Sequence, residues 1–148
     1  MSSSMEKYSK CPDKYYVKQN VDIHEFNMQT HVYGLNIVRV PEILDYCKET
    51  RTMAMARVGI MNVSDVYGEN AKDVPNNVFK SISTIIKKLI ANGIEYPDLT
   101  GYNFVEDSND EVWIIDFEHS KLKDNTEIQN EAILRICRGE KKWNEDFA

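Results

Sequence analysis

A single α+β domain is predicted for this chain, on three observations. The segment PNNVFKSISTIIKKLIANG (75–93) repeats apolar residues at three- and four-residue steps, so that Val78, Phe79, Ile82, Ile85, Ile86, Leu89 and Ile90 share one face of a helix. Short aromatic and β-branched runs, KYYVKQN (14–20), EILDYCKE (42–49), RTMAMARV (51–58), YNFVED (102–107) and EVWIID (111–116), lie between polar turns and read as strands. At 148 residues with 42% hydrophobic content, the chain can fill one ordinary core and little more. No period of 20 to 50 residues repeats, which excludes a solenoid.

In chain order, residues 1–13 are rich in Ser and Lys, are closed by Pro12, and are expected to form a mobile arm. After the strand at 14–20, Asp22 can cap a helix through HEFNMQTHVYGL (24–35). Pro41 stops the following segment, and 42–58 then reads as a hairpin. IMNVSDVYGENAKDVP (60–75) is polar and turn-rich, a short helix with loops. Pro75 starts the amphipathic helix and Gly93 stands where a C-terminal cap belongs. A polar turn, EYPDLTG, leads into a hairpin whose strands are joined by Ser108, Asn109 and Asp110. Near the end, Ile128, Ala132, Ile133 and Ile136 have helical spacing before Gly139, and Trp143 and Phe147 are expected to pack the tail onto the body.

A net charge of −6 argues against a broad electrostatic grip on nucleic acid. Cys11, Cys47 and Cys137 have no metal-like spacing and read as free thiols. His24, His31 and His119 are too scattered to suggest zinc. The first residues carry no apolar signal-peptide core, and no apolar run is long enough to span a bilayer. A soluble, intracellular protein without membrane contact is expected, cytoplasmic or, as the alternative, nuclear.

Three polar side chains carry the chemical signal. Asp98 and Asn103 lie five apart, and Asp116 follows Asp98 by 18 residues, directly after the apolar run Val112–Ile115. Phosphoryl transfer needs a carboxylate to orient or deprotonate the attacking hydroxyl and two oxygen ligands to hold Mg²⁺ against the phosphates. Read singly, Asp98 is also a turn residue after Pro97, and Asn103 a polar strand start. A carboxylate after four apolar residues is costly unless it is paired or metal-bound.

Taken together, the spacing resembles the eukaryotic-like protein kinases, whose H-R-D-L-x-x-x-N loop and D-F-G motif correspond to Tyr96-Pro97-Asp98-Leu99-Thr100-Gly101-Tyr102-Asn103 and Asp116-Phe117-Glu118. That resemblance implies a kinase-like fold over residues 14–148, with a strand-rich lobe at about 14–57, a hinge at about 55–60 and a reduced helical lobe at about 61–148. It implies ATP and Mg²⁺ as cofactors, Asp98 as catalytic carboxylate, and Asn103 and Asp116 as metal ligands. Lys18 then matches the lysine that contacts the α- and β-phosphates, Glu25 its helix partner, and Met55, Ala56, Arg57 and Val58 the backbone that meets adenine. The seven residues from Lys18 to Glu25 are fewer than usual, so a solvent-facing strand lysine stays open as the other reading of Lys18.

The departures from the family are equally specific. No G-x-G-x-x-G precedes Lys18, since the six glycines begin at Gly34, so the phosphate lid is expected to be lacking and nucleotide binding weaker. Tyr96 and Pro97 replace His and Arg, Thr100 replaces a lysine, and Glu118 replaces glycine, as in choline and ethanolamine kinases. Thirty residues follow Glu118 and hold no A-P-E. A miniature kinase-like domain transferring phosphate to a hydroxyl, first of all Ser or Thr of a protein, is the leading expectation. A pseudokinase that binds and regulates a partner kinase, or a small-molecule kinase, are the alternatives.

Overall fold

The structure is a computed structural model describing residues 3–59 and 61–147. It opens with helix α1 (Ser3–Ser9) where the sequence predicts a mobile arm. Met5, fully buried, anchors this helix, which packs against the first and third strands of the sheet that follows. A terminal segment tied down by even one buried side chain need not fray.

Strand β1 (Tyr15–Lys18) is followed by helix α2 (Ile23–Leu35), and then by the hairpin β2 (Ile43–Cys47) and β3 (Thr52–Ala56). The three strands form an antiparallel sheet in the order β1-β3-β2, with Tyr16 opposite Met55 and Lys18 opposite Met53. β3 is central and buried from Thr52 to Met55. α2 begins as expected: the Asp22 carboxylate accepts from the Glu25 amide at 2.8 Å, and Asn36 closes the helix in the left-handed region at φ 54°. Its Met28 and Val32 join the large core, while Phe26 stacks on Tyr46, ring centres 4.4 Å apart, over Val21, Met53 and Met55. One helix therefore couples the sheet to the rest of the protein.

The remainder is organised around a long helix. α3 (Val63–Tyr67) and a single 3₁₀ turn (Ala71–Asp73) lead to α4 (Asn76–Ala91), and Gly93 leaves it at φ +74°. β4 (Ile94–Glu95) pairs with β7 (Lys121–Leu122), and β5 (Phe104–Glu106) with β6 (Val112–Ile114), before α5 (Glu131–Cys137). Phe79, Ile82, Ile86 and Leu89 of α4 pack with Leu99, Phe104, Ile114, Phe117, Ile133 and Ile136 in the main core.

Several elements differ from expectation. The strands of the β5–β6 hairpin are shorter than their apolar runs, because Gly101–Asn103 forms a 3₁₀ turn and Asp116 lies beyond β6 at φ +65°. The two-residue β4–β7 ladder was not predicted. Ile128 precedes α5 rather than lying on it, and Phe147 is exposed and meets the His119 ring instead of the core, whereas Trp143 is buried as expected.

The sheet connects to the helical part through residues 57–62. A Cβ on Gly59 would press into the Val105 side chain and stand 3.0 Å from the Glu106 carbonyl, so glycine lets this link lie directly on β5. No helix among the described residues is long and apolar enough to cross a membrane.

Candidate functional site

Alternation along β1 puts Tyr16 and Lys18 on one side of the strand. The Lys18 ammonium donates to Glu25 Oε2 at 2.5 Å and lies 3.4 Å from Asp116 Oδ1. Glu25 sits in the first turn of α2 with its side chain 2% exposed, so its position is set by the Asp22 cap and by the helix packing beneath it. Burial pulls the Lys18 pKa down, but the Asp116 charge and the Glu25 hydrogen bond outweigh it and hold the ammonium above its usual value. Burial pushes the Glu25 carboxyl up, with Lys18 opposing.

Asp116 is held from behind. It adopts a left-handed backbone that costs a non-glycine residue of order 1 kcal/mol or more, which persists only where the surroundings over-determine it. The Tyr96 hydroxyl supplies that constraint. It is fully buried and within 2.6 Å of the carbonyls of both Ile115 and Asp116, which share its one proton, and its ring meets Phe117 edge-on at 5.6 Å. Burial, then Asp116, raises the Tyr96 pKa well above the phenol range, so the hydroxyl remains a donor.

Asp98 and Asn103 meet across the 3₁₀ turn. The Asn103 amide donates to the Asp98 backbone carbonyl at 2.8 Å. With its nitrogen engaged there, the Asn103 side-chain oxygen remains available as a ligand. Asp98 is half-buried, and burial followed by the Asp116 charge raises its pKa, against the Asn103 hydrogen bond and the His119 charge. Glu118, in turn, brings a third carboxylate: oxygens of Glu25, Asp116 and Glu118 lie within 4.8 Å of one another.

Lys18, Asn103 and Asp116 border a cleft of about 340 Å³ between the sheet and the β5–β6 hairpin. Lys18, Met55, Ala56, Arg57, Val58, Asn103 and Asp116 all line it; Glu25 stands behind Lys18, and Asp98 lies outside the lining. The Ala56 and Arg57 amides already donate to the carbonyls of Glu42 and Lys14, each at 2.9 Å. The Val58 amide has no hydrogen-bond partner among the described residues.

Sequence reasoning missed Tyr96 as a clamp, since nothing in Tyr96-Pro97 announces a hydroxyl aimed at residues 115 and 116. It also missed His24, whose Nε2 lies 2.6 Å from the Ser120 carbonyl and ties α2 to the segment after Asp116.

The fold has known counterparts. The solved structure of the kinase PK-1 of Cydia pomonella granulovirus superposes with a TM-score of 0.53 at 15% identity, covering 82% of this chain and 58% of that one. At that identity the likeness is one of fold, and the fold is protein-kinase-like. Among curated proteins, a 3-deoxy-D-manno-octulosonic acid kinase of Vibrio parahaemolyticus serotype O3:K6 (strain RIMD 2210633) is 30% identical over 86 residues, 52% of this chain and 36% of that protein. The chain thus spans about a third of this curated relative's length. No protein-family model matches it.

Proposed function

We propose that the chain binds ATP with Mg²⁺ in this cleft and transfers the γ-phosphoryl group to a hydroxyl acceptor. The observation that carries the proposal is the Lys18 ammonium, 2.5 Å from Glu25 and 3.4 Å from Asp116 at the wall of the cleft. Such a cation, fixed by a buried carboxylate, suits the α- and β-phosphates. In this reading about 14–57 is the strand-rich lobe, about 55–60 the hinge, and about 61–148 the helical lobe.

The residues present fit a hard divalent cation, since Asp116 and the Asn103 side-chain oxygen border the phosphate end and Glu118 adds a carboxylate nearby. Mg²⁺ would neutralise the developing charge between the β- and γ-phosphates. Lys18 binds the phosphates nearer the base, and Glu25 keeps Lys18 in place. The base meets the backbone of Met55–Val58, where the free Val58 amide is the available donor. Asp98 orients the acceptor hydroxyl and takes its proton as the acceptor oxygen bonds to the γ-phosphorus and the bond to ADP breaks. Tyr96 holds Asp116 at the angle its carboxylate needs.

Ser or Thr of a protein is the first acceptor class. A small hydroxylated molecule is the second, favoured by the similarity to a kinase named for a sugar acid and by Glu118 in place of glycine. Transfer of labelled γ-phosphate to peptide and sugar acceptors, compared between wild type and Asp98→Asn, tests the proposal. Transfer that is abolished in the variant supports it. Magnesium-dependent ATP binding with no transfer to any acceptor would favour a regulatory binding module instead.

A further inference from the structure

Asn144 lies in the segment after α5, 47 residues beyond Pro97, and is 3% exposed. Its side-chain amide donates to the Pro97 carbonyl at 2.7 Å, and its backbone N–H donates to the Leu99 carbonyl at 2.8 Å. Asp98 stands between the two. The carbonyl of Asp98 itself accepts from the Asn103 amide at 2.8 Å. Because a peptide unit is planar, holding the Pro97 oxygen fixes the plane that enters Asp98, and holding the Asp98 oxygen fixes the plane that leaves it. The backbone that carries the carboxylate is thereby set from both sides. Bonds within the loop reach only two residues, from the Leu99 amide to Pro97 and from the Thr100 amide to Asp98. Turns that short leave the placement of the loop against the body to outside partners. Asn144 is itself held: its side-chain oxygen accepts from the Asp146 amide at 3.1 Å and its carbonyl from the Phe147 amide at 3.0 Å. Trp143, beside it, is buried in the main core with its ring centre 5.7 Å from that of Phe79. Packing and hydrogen bonds thus present the Asn144 amide to the loop in one orientation.

We infer that Asn144 is a positioning residue for Asp98: by clamping the carbonyls on either side of it, Asn144 holds the carboxylate at the angle at which it meets the acceptor hydroxyl. The inference rests on the phosphoryl-transfer reading and adds to it a residue outside the cleft. Among the described residues, Asn144 forms no hydrogen bond with Lys18, Asn103 or Asp116. Its loss is therefore felt in transfer and not in the binding of nucleotide.

Transfer of labelled γ-phosphate to peptide and sugar acceptors, and ATP affinity in the presence of Mg²⁺, are measured for wild type, Asn144→Ala, Asn144→Asp and Glu145→Ala, with thermal melting to verify the fold. Asn144→Asp keeps the size of the side chain and the oxygen that Asp146 uses, and replaces the donor to Pro97 with an acceptor. A misplacement of 1 Å can cost about a hundredfold in rate, so both Asn144 variants lose about tenfold or more in kcat while KM and affinity for ATP stay within about twofold of wild type. Glu145→Ala, which alters an exposed side chain paired with Lys142, behaves like wild type. If Asn144→Ala alone fails to fold, Asn144→Asp decides. Unchanged kcat in the folded Asn144 variants, or a KM for ATP that rises in step with the fall in kcat, overturns the inference alone. Loss of the fold in both variants assigns Asn144 to stability only and overturns it likewise. A wild type that transfers phosphate to no acceptor overturns the phosphoryl-transfer reading and this inference together.

Discussion

Replacing Lys18 with Met should produce a protein whose instability depends on pH. In the wild type Glu25 is nearly sealed from water and its charge is balanced by Lys18 at 2.5 Å. The substitution leaves that carboxylate facing two others, Asp116 and Glu118, within 4.8 Å. Removing one partner of a buried pair typically costs about 3–5 kcal/mol. Lys18 is 23% exposed, which puts the expectation near the lower end, about 3 kcal/mol. The protein can relieve the strain by protonating Glu25, whose pKa burial already raises above 4.5 and which now lacks the opposing cation. For a carboxyl raised in the folded state, the stabilising contribution is present below the unfolded pKa and is lost as pH rises through the folded value. One proton changes stability by about 1.36 kcal/mol per pH unit, so the variant loses up to about 2.7 kcal/mol more at pH 7 than at pH 5. Urea unfolding at both pH values measures this, and adding Glu25→Gln to Lys18→Met should recover most of the loss. A deficit of equal size at pH 5 and pH 7, or a double variant no better than the sum of the single ones, would refute the buried-pair account.

Tyr96→Phe keeps the ring packed on Phe117 but strips the donor from two carbonyls; a loss of about 1–2 kcal/mol in denaturant unfolding is expected. Gly59→Ala drives a methyl into Val105 and the Glu106 backbone, and should destabilise the protein by about 1–3 kcal/mol by thermal melting, whereas Gly34→Ala, with open space around it, should not. Because burial and Asp116 raise the Asp98 pKa above 3.8, the phosphoryl-transfer rate should fall on acidification with an inflection above that value, and Asn103→Ala, which removes an opposing hydrogen bond, should move the inflection further up in a pH–rate profile.

The parts of this molecule that sequence reasoning reached are those where one residue type has few physical excuses. A carboxylate after Val112–Ile115 demanded a partner, and Lys18 stands 3.4 Å away. The α4 stripe, the Asp22 cap and the glycine after α4 follow from local periodicity and backbone preference, and they form as read. What escaped depends on long-range geometry. The α1 helix hangs on Met5 in an otherwise polar stretch, and β4 and β7 are two residues each, too short for any alternation to register. The left-handed turn at Asp116 and its Tyr96 clamp join positions 20 apart, which no local pattern encodes. Met55, Ala56, Arg57 and Val58 are expected from the sequence as backbone facing adenine, yet the Glu42 and Lys14 carbonyls, distant in sequence, occupy the amides of Ala56 and Arg57.

The most direct measurement is the affinity of the protein for ATP with and without Mg²⁺, in wild type and in Asp116→Asn. If Lys18, Asp116 and Asn103 form a nucleotide site, Mg²⁺ strengthens ATP binding to the wild type and the variant loses that enhancement. ATP binding indifferent both to Mg²⁺ and to the loss of the Asp116 charge would contradict the account.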